Sequence, residues 1–258
     1  MKNDLFSIGP FTVHGYGLMI AIGVLSAYYM VEYRAKKKQM DWEKVFPLTV
    51  WSVLGGFLGS KILYLLTRLP DILANPALLG SSIKDGFVVY GGIIGGILTA
   101  WIYCKCTKWN FWKIFDIAMP AVAMAQGFGR IGCLLAGCCY GIELDPANPI
   151  GIVFHNSAYA PNDVALLPTQ IISSVLDFAN CFVLLALSKK LKTDGQVASC
   201  YLIFYSIGRF VIEFFRGDII RGSVGILSTS QFISIFTGIA GIVLLTLIRK
   251  KRDSKGCV

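Results

Sequence analysis

Charge is scarce in this chain. Asp, Glu, Lys and Arg make up only 15% of its 258 residues, against about 25% of an average soluble domain. Histidine occurs twice and acidic residues 15 times. No internal repeat of about 20–50 residues is visible. What is abundant is apolar: 55% of the residues are hydrophobic, and the mean hydropathy is +0.64. So much apolar surface cannot be hidden in one soluble core, which excludes a soluble enzyme. Disorder is excluded as well, because it needs low hydrophobicity. A membrane-spanning helix takes about 20 apolar residues, so the chain has room for roughly six to eight spans with short loops and no separate soluble domain. The surplus of 24 basic over 15 acidic residues, a formal charge of +9, then reads as a loop-orientation signal rather than a nucleic-acid footprint.

Long apolar runs place seven spans at 16–33, 46–66, 87–103, 114–135, 168–188, 198–215 and 230–248. The expected fold class is an all-α integral membrane protein with seven transmembrane helices. It forms a single polytopic domain over residues 1–258, with an extracytoplasmic loop at 136–167 between spans four and five. The third span is short and carries Gly91, Gly92, Gly95 and Gly96, a density suited to close helix packing in lipid. The fourth contains Pro120, a candidate kink. Asp4 sits where a signal peptide would be positive, and no A-x-A site follows a short apolar core, so span one reads as a retained helix.

Basic residues orient the chain. Arg34, Lys36, Lys37, Lys38 and Lys44 follow span one; Lys105, Lys108 and Lys113 follow span three. Lys189, Lys190 and Lys192 follow span five, and Arg249, Lys250, Lys251, Arg252 and Lys255 fill the tail. These are sixteen of the 24 basic residues. The alternate loops hold only Lys2, Arg68, Lys84, Arg216 and Arg221. The positive-inside rule therefore expects the N-terminus outside and the C-terminus in the cytoplasm, which requires an odd number of spans.

Three basic residues remain, Lys61, Arg130 and Arg209, and all lie inside apolar spans. A cation at the centre of a membrane helix costs about 2.5 kcal/mol or more and is a functional candidate by default. With the orientation above, Lys61, Tyr90, Arg130, Arg209 and Glu213 fall toward the outer ends of their spans, and His14 and Tyr16 open span one. This shared depth points to a polar site near outer-leaflet headgroups, with an anion such as a phosphate as its natural ligand. Plainer readings exist: Lys61 snorkelling, Arg209 and Glu213 as a structural i,i+4 pair, Tyr16 and Tyr90 as interfacial aromatics, His14 as a solvated residue. Asp177, midway along span five, suits a proton relay or a packing role equally.

Eight cysteines are present: Cys104, Cys106, Cys133, Cys138, Cys139, Cys181, Cys200 and Cys257. Cys104 and Cys106 fall at the reducing cytoplasmic edge. The spacing Cys133-x4-Cys138-Cys139 matches no common zinc pattern. The cysteines read chiefly as small buried apolar residues, with a redox or metal site as the alternative; no cofactor or bound metal is expected.

Several motifs together carry a resemblance. The segment Gly127-Phe-Gly-Arg-Ile-Gly-Cys-Leu-Leu-Ala-Gly-Cys-Cys-Tyr-Gly141 closes span four. Ahead of it stand His14-Gly-Tyr-Gly-Leu-Met19, Asp85-Gly86 and Tyr90-Gly-Gly-Ile-Ile-Gly95. After it come Pro168-Thr-Gln170, Tyr205, Arg209-Phe-Val-Ile-Glu-Phe-Phe-Arg216 and Gln231. In this order the chain resembles the prolipoprotein diacylglyceryl transferase family over nearly its whole length. The resemblance implies a bacterial enzyme of the cytoplasmic membrane. Its partners would be phosphatidylglycerol and the lipobox segment of a secreted precursor. The diacylglyceryl group would pass to the lipobox cysteine thiol, and glycerol phosphate would leave.

The resemblance also implies roles. Arg130 would bind the phosphate, and Arg209 would hold or activate the headgroup with Glu213 fixing its geometry. Tyr16 and Tyr205 would be catalytic or headgroup contacts. His14, Tyr16 or Tyr90 could serve as the base. Lys61, Gly141, Gln170 and Gln231 join the phospholipid site. The residue types fit the chemistry: a thiol of pKa about 8.5 must become a thiolate to attack, and a phosphate leaving group needs cationic stabilisation. This chain departs from the family at four places. Cys133 stands where asparagine is common and Cys138 where glutamate is; Tyr90 and Leu167 stand where members have histidine. Competing readings are a paralogue acting on another lipid or acceptor, an anion or lipid transporter, and a thiol oxidoreductase using Cys133, Cys138 and Cys139. An intramembrane serine protease fails for want of a histidine inside any span, and a retinal protein for want of a lysine in 230–248.

Overall fold

The structure is a computed structural model that describes residues 4–8, 11–75, 78, 80, 83, 86–218 and 222–255. Lys2, Lys84, Asp85, Arg221 and Cys257 lie outside the described residues. Each of the seven apolar runs forms a helix. In hydrocarbon the backbone has no water to bond, so every N–H and C=O must be satisfied within the segment. The helices are α1 (Gly15–Lys37), α2 (Val45–Thr67), a short α3 (Leu69–Ala74), α4 (Val89–Cys106), α5 (Phe111–Ala136), α6 (Thr169–Lys190), α7 (Gln196–Glu213) and α8 (Thr229–Lys255). Six helical segments are long and apolar enough to cross a membrane: Gly15–Lys37, Trp42–Thr67, Val89–Cys106, Phe111–Ala136, Thr169–Lys190 and Thr229–Lys251. The 18-residue α7 is not among these six; it carries Arg209 and Glu213 and buries Gln196, Ser199 and Ser206.

Strands among the described residues are short antiparallel pairs. β1 (Asp4–Ile8) pairs with β2 (Phe11–His14), β3 (Ile152–Val153) with β4 (Ala165–Leu166), and β5 (Ser223–Val224) with β6 (Leu227–Ser228). The β3–β4 pair lies in the 136–167 loop, which has its own small core of Phe154, Ala160 and Leu166. His155 is engaged there with Asp163 at 2.6 Å.

The chain divides into two units, Met1–Val31 with Phe115–Val258, and Glu32–Ile114. In the second unit, α2 and α4 pack backbone to backbone. Glycines at four-residue spacing, Gly55 and Gly59 on α2 and Gly91 and Gly95 on α4, face one another. A Cβ on Gly59 would strike the Gly91 carbonyl oxygen, and one on Gly95 would strike that of Gly55. Small residues permit this approach where lipid supplies no hydrophobic drive. Gly59→Leu should therefore split the pair, seen as a large drop in thermal stability in detergent. Lys61 belongs to this unit; its Nζ donates to the Gly86 carbonyl at 3.0 Å and lies 4.3 Å from the Phe87 ring centre. Tyr90, at the start of α4, is also here and exposed.

In the first unit, α5, α6 and α7 share a core of Met119, Ala123, Cys181, Leu184, Val197, Ala198 and Tyr201. Two polar ties set the helix positions. Ser174 Oγ of α6 donates to the Gly127 carbonyl of α5 at 2.9 Å. The buried Asp116 carboxylate accepts from the Gly195 and Ala198 N–H groups, both at 2.8 Å, and so caps the start of α7. A carboxylate there satisfies orphan donors and complements the helix dipole. α5 continues through Pro120 as one element.

Candidate active site

A small, partly open cleft lies in the first unit, lined by Arg130 of α5, Ser173, Leu176, Asp177 and Asn180 of α6, and Phe204, Tyr205, Gly208, Arg209 and Ile212 of α7. Spacing explains the lining. Residues 173, 176, 177 and 180 fall on one face of α6, as do 204, 205, 208, 209 and 212 on α7. One end is cationic; Leu176 and Phe204 are exposed at its edge and make it apolar.

The two arginines are held differently. Arg209 Nη2 lies 2.7 Å from Glu213 Oε2, and both side chains are nearly buried. The same Nη2 donates to Ser230 Oγ at 2.8 Å, which ties α7 to the first turn of α8. Arg209 Nη1 is buried without a protein partner. Such a donor is costly to leave unmade. Arg130 approaches Asp177 Oδ2 only through Nε, at 4.0 Å. A guanidinium is a rigid fork of five donors. Engagement of the Nε edge by Asp177 leaves the paired Nη edge for a bidentate anion. Asn180 Oδ1 is a further buried atom without a partner at this cleft. Tyr205 stacks on Tyr201, with ring centres 5.7 Å apart, and Tyr201 donates to Gln126 Oε1 at 2.8 Å.

Next to the cleft, α5 ends in a turn rich in cysteine. Gly137, at φ +73, lets the Cys138 N–H reach the Cys133 carbonyl at 3.1 Å and its own N–H reach that of Leu134 at 3.2 Å. These two bonds define a Schellman C-cap, whose left-handed residue is most easily glycine. The Cys133, Cys138 and Cys139 sulfurs lie within 4.8 Å of one another. Hydrogen bonds to Cys133 and Cys139, and then burial, push the Cys138 thiol well above its ordinary value. A redox-active thiol wants the opposite shift. Tyr16 of α1 packs beside this turn, its ring 3.2 Å from where a Cβ on Gly132 would sit.

Several expected site residues have structural tasks. Gln170, 1% exposed, donates through Nε2 to the Cys138 carbonyl at 2.9 Å; its Oε1 is buried without a partner. Gln231 closes a capping box: its Oε1 accepts from the Ser228 N–H at 3.0 Å, and its own N–H donates to Ser228 Oγ at 3.1 Å. Gly141 is a crossing of three segments. Its N–H donates to the Leu167 carbonyl, and a Cβ would lie 2.5 Å from that oxygen and 2.8 Å from that of Phe215. His14 ends β2, opposite Asp4. The structure thus brings Arg130, Asp177, Tyr205 and Arg209 into one cleft, with Glu213 on Arg209 and Tyr16 beside the neighbouring cysteine turn. Lys61 and Tyr90 belong to the other unit. Arg216, by sequence a loop cation, is also drawn in. Its side chain is 5% exposed and pairs with Asp218 through two bonds of 2.8 and 2.7 Å. Burial alone would lower its pKa; Asp218 and the adjacent Cys139 outweigh this and raise it. Arg-x-Asp after an apolar helix was the available signal.

Fold and site define a multi-pass membrane protein with half-buried arginines at the polar end of an apolar-edged cleft. The chain belongs to the prolipoprotein diacylglyceryl transferase family, whose profile matches residues 3–247. It is 46% identical over 254 residues to a phosphatidylglycerol–prolipoprotein diacylglyceryl transferase of Clostridium tetani, covering 98% of this chain and 100% of that one. A Clostridium perfringens protein named as the second such transferase is 46% identical over 251 residues, covering 97% of each. A Staphylococcus carnosus relative with the same activity in its name is 31% identical over 251 residues, covering 95% of this chain and 90% of its own.

Proposed function

We propose that this protein transfers the diacylglyceryl group of phosphatidylglycerol to the lipobox cysteine thiol of a prolipoprotein. The observation that carries the reading is the pair of arginine edges turned to one cleft: the buried Nη1 of Arg209 without a protein partner and the Arg130 fork bound only weakly at Nε. A phosphodiester headgroup fits those donors, and Leu176, Phe204 and Ile212 suit the first carbons of its acyl chains. The acceptor thiolate attacks the glycerol carbon that carries the phosphate. A C–S bond forms, the C–O bond breaks, and glycerol phosphate leaves with the electron pair. Arg130 and Arg209 meet the charge that grows on the departing phosphate, where preorganised donors act most strongly. Glu213 orients Arg209, Asp177 orients Arg130, and Tyr205 borders the headgroup. Tyr16, beside the cysteine turn, and His14 are the candidates in this unit for taking up the thiol proton.

The same reading puts seven spans in a bacterial cytoplasmic membrane, with α7 as the seventh alongside the six long apolar helices, the N-terminus outside and the C-terminus inside. Cations in the last turns support it: Arg34, Lys36 and Lys37 on α1, Lys105 on α4, and Lys189 and Lys190 on α6. The test supplies the detergent-purified protein with labelled phosphatidylglycerol and a lipobox peptide. A peptide carrying the diacylglyceryl mass as a thioether is expected. No product, under conditions in which a proven family member works, overturns the reading in favour of a paralogue with another lipid or acceptor.

A further inference from the structure

We propose that Cys133, Cys138 and Cys139 form a site for a soft divalent metal ion of the Zn²⁺ class, and that the coordination position they leave is filled by the acceptor cysteine thiol. The second half rests on the transfer reaction proposed above. Zn–S bonds of about 2.3 Å in a tetrahedron put sulfurs about 3.8 Å apart. Three sulfurs already within 4.8 Å need about 1 Å of side-chain adjustment.

The backbone explains why a spacing foreign to common zinc motifs converges. The Schellman turn brings the side chains of its C3 and C″ residues together, and these are Cys133 and Cys138. Cys139 then adopts φ +63, a left-handed conformation that costs a non-glycine residue about 1–2 kcal/mol and that turns the third thiol toward the other two. Two buried side chains brace the pair from α6: Thr169 Oγ1 donates to the Cys139 carbonyl and Gln170 Nε2 to that of Cys138, each at 2.9 Å. Such outer contacts are what holds metal ligands in place. Arg216 contacts Cys139, and Arg130 lies close to Cys133 and Cys139.

Three protein ligands and one exchangeable position define a catalytic rather than a structural zinc geometry. A thiol that coordinates such an ion is deprotonated. Arg130 borders both the cluster and the cleft, so an acceptor sulfur held here lies beside the phospholipid phosphate. Its proton is displaced on binding, its sulfur takes the diacylglyceryl carbon, and the released glycerol phosphate takes up the proton. The thioether product is a weaker ligand and departs.

The test titrates the reduced, detergent-purified full chain with Co²⁺, whose thiolate complexes absorb in the near ultraviolet and whose d–d bands report tetrahedral geometry. One equivalent of cobalt–thiolate absorption is expected, displaced by Zn²⁺ and lost in Cys138→Ser, in Cys133→Ser and in the triple serine variant. A lipobox peptide should shift the d–d bands, and its serine counterpart should not. These readouts need no turnover, so they stand apart from the transfer assay. Absence of the absorption in wild type, or its survival in the triple variant, overturns the site. Bands unmoved by the cysteine peptide overturn the acceptor half.

Discussion

Arg130→Ala is expected to lower kcat/KM for diacylglyceryl transfer by roughly 10²–10³-fold, the range found when one preorganised oxyanion donor is removed. The protein should remain inserted and folded, because the ion pair that this change removes is a long one, 4.0 Å to Asp177. Arg130→Lys keeps the charge but replaces a planar fork with a point donor, so its rate should fall between wild type and Arg130→Ala. The measurement is transfer from phosphatidylglycerol to a lipobox peptide, with thermal unfolding in detergent as the control. Wild-type kcat/KM in Arg130→Ala would remove this residue from the phosphate site.

Arg209→Ala should abolish transfer and also destabilise the protein. It strands Glu213, whose side chain is 7% exposed, and an uncompensated buried charge costs about 3–5 kcal/mol. The two effects can be separated. Replacement of a buried ion pair by apolar residues of similar volume is often neutral. Arg209→Met with Glu213→Leu should therefore recover much of the lost stability while transfer stays down by about 10²-fold or more. If the double variant transfers normally, the pair is only a strut between α7 and α8. If it neither folds nor transfers, Glu213→Gln isolates the charge: it keeps a hydrogen-bond acceptor for Arg209 and should reduce kcat more than stability.

The helices were legible because their length is imposed from outside. A span read at 168–188 is observed at Thr169–Lys190, and one read at 46–66 at Val45–Thr67. Arg130 and Arg209 were legible for a related reason: a cation in an apolar run stands out because it is expensive there. Gln231 was legible in principle, since Ser228-x-x-Gln231 is a capping box. Gln170 was not: nothing in local sequence says that its amide reaches a carbonyl 32 positions earlier. Asp177 stood undecided between relay and packing until the cleft placed it on the Nε edge of Arg130.

Sequence by itself determined that this is a membrane protein, where its helices run and which charges are out of place. Those follow from composition and period, which are local. Only the tertiary structure decided which buried charges meet. Arg130 and Arg209 are 79 positions apart, and their common cleft depends on α5, α6 and α7 packing through Ser174, Gly127 and the Asp116 cap. The cysteine cluster is intermediate. The Gly137 turn that pairs Cys133 with Cys138 is local chemistry, whereas the bracing by Thr169 and Gln170 and the neighbouring arginines are supplied by distant segments. The surplus of positive charge in the composition marks loops; the cations that matter are the few whose company the fold selects.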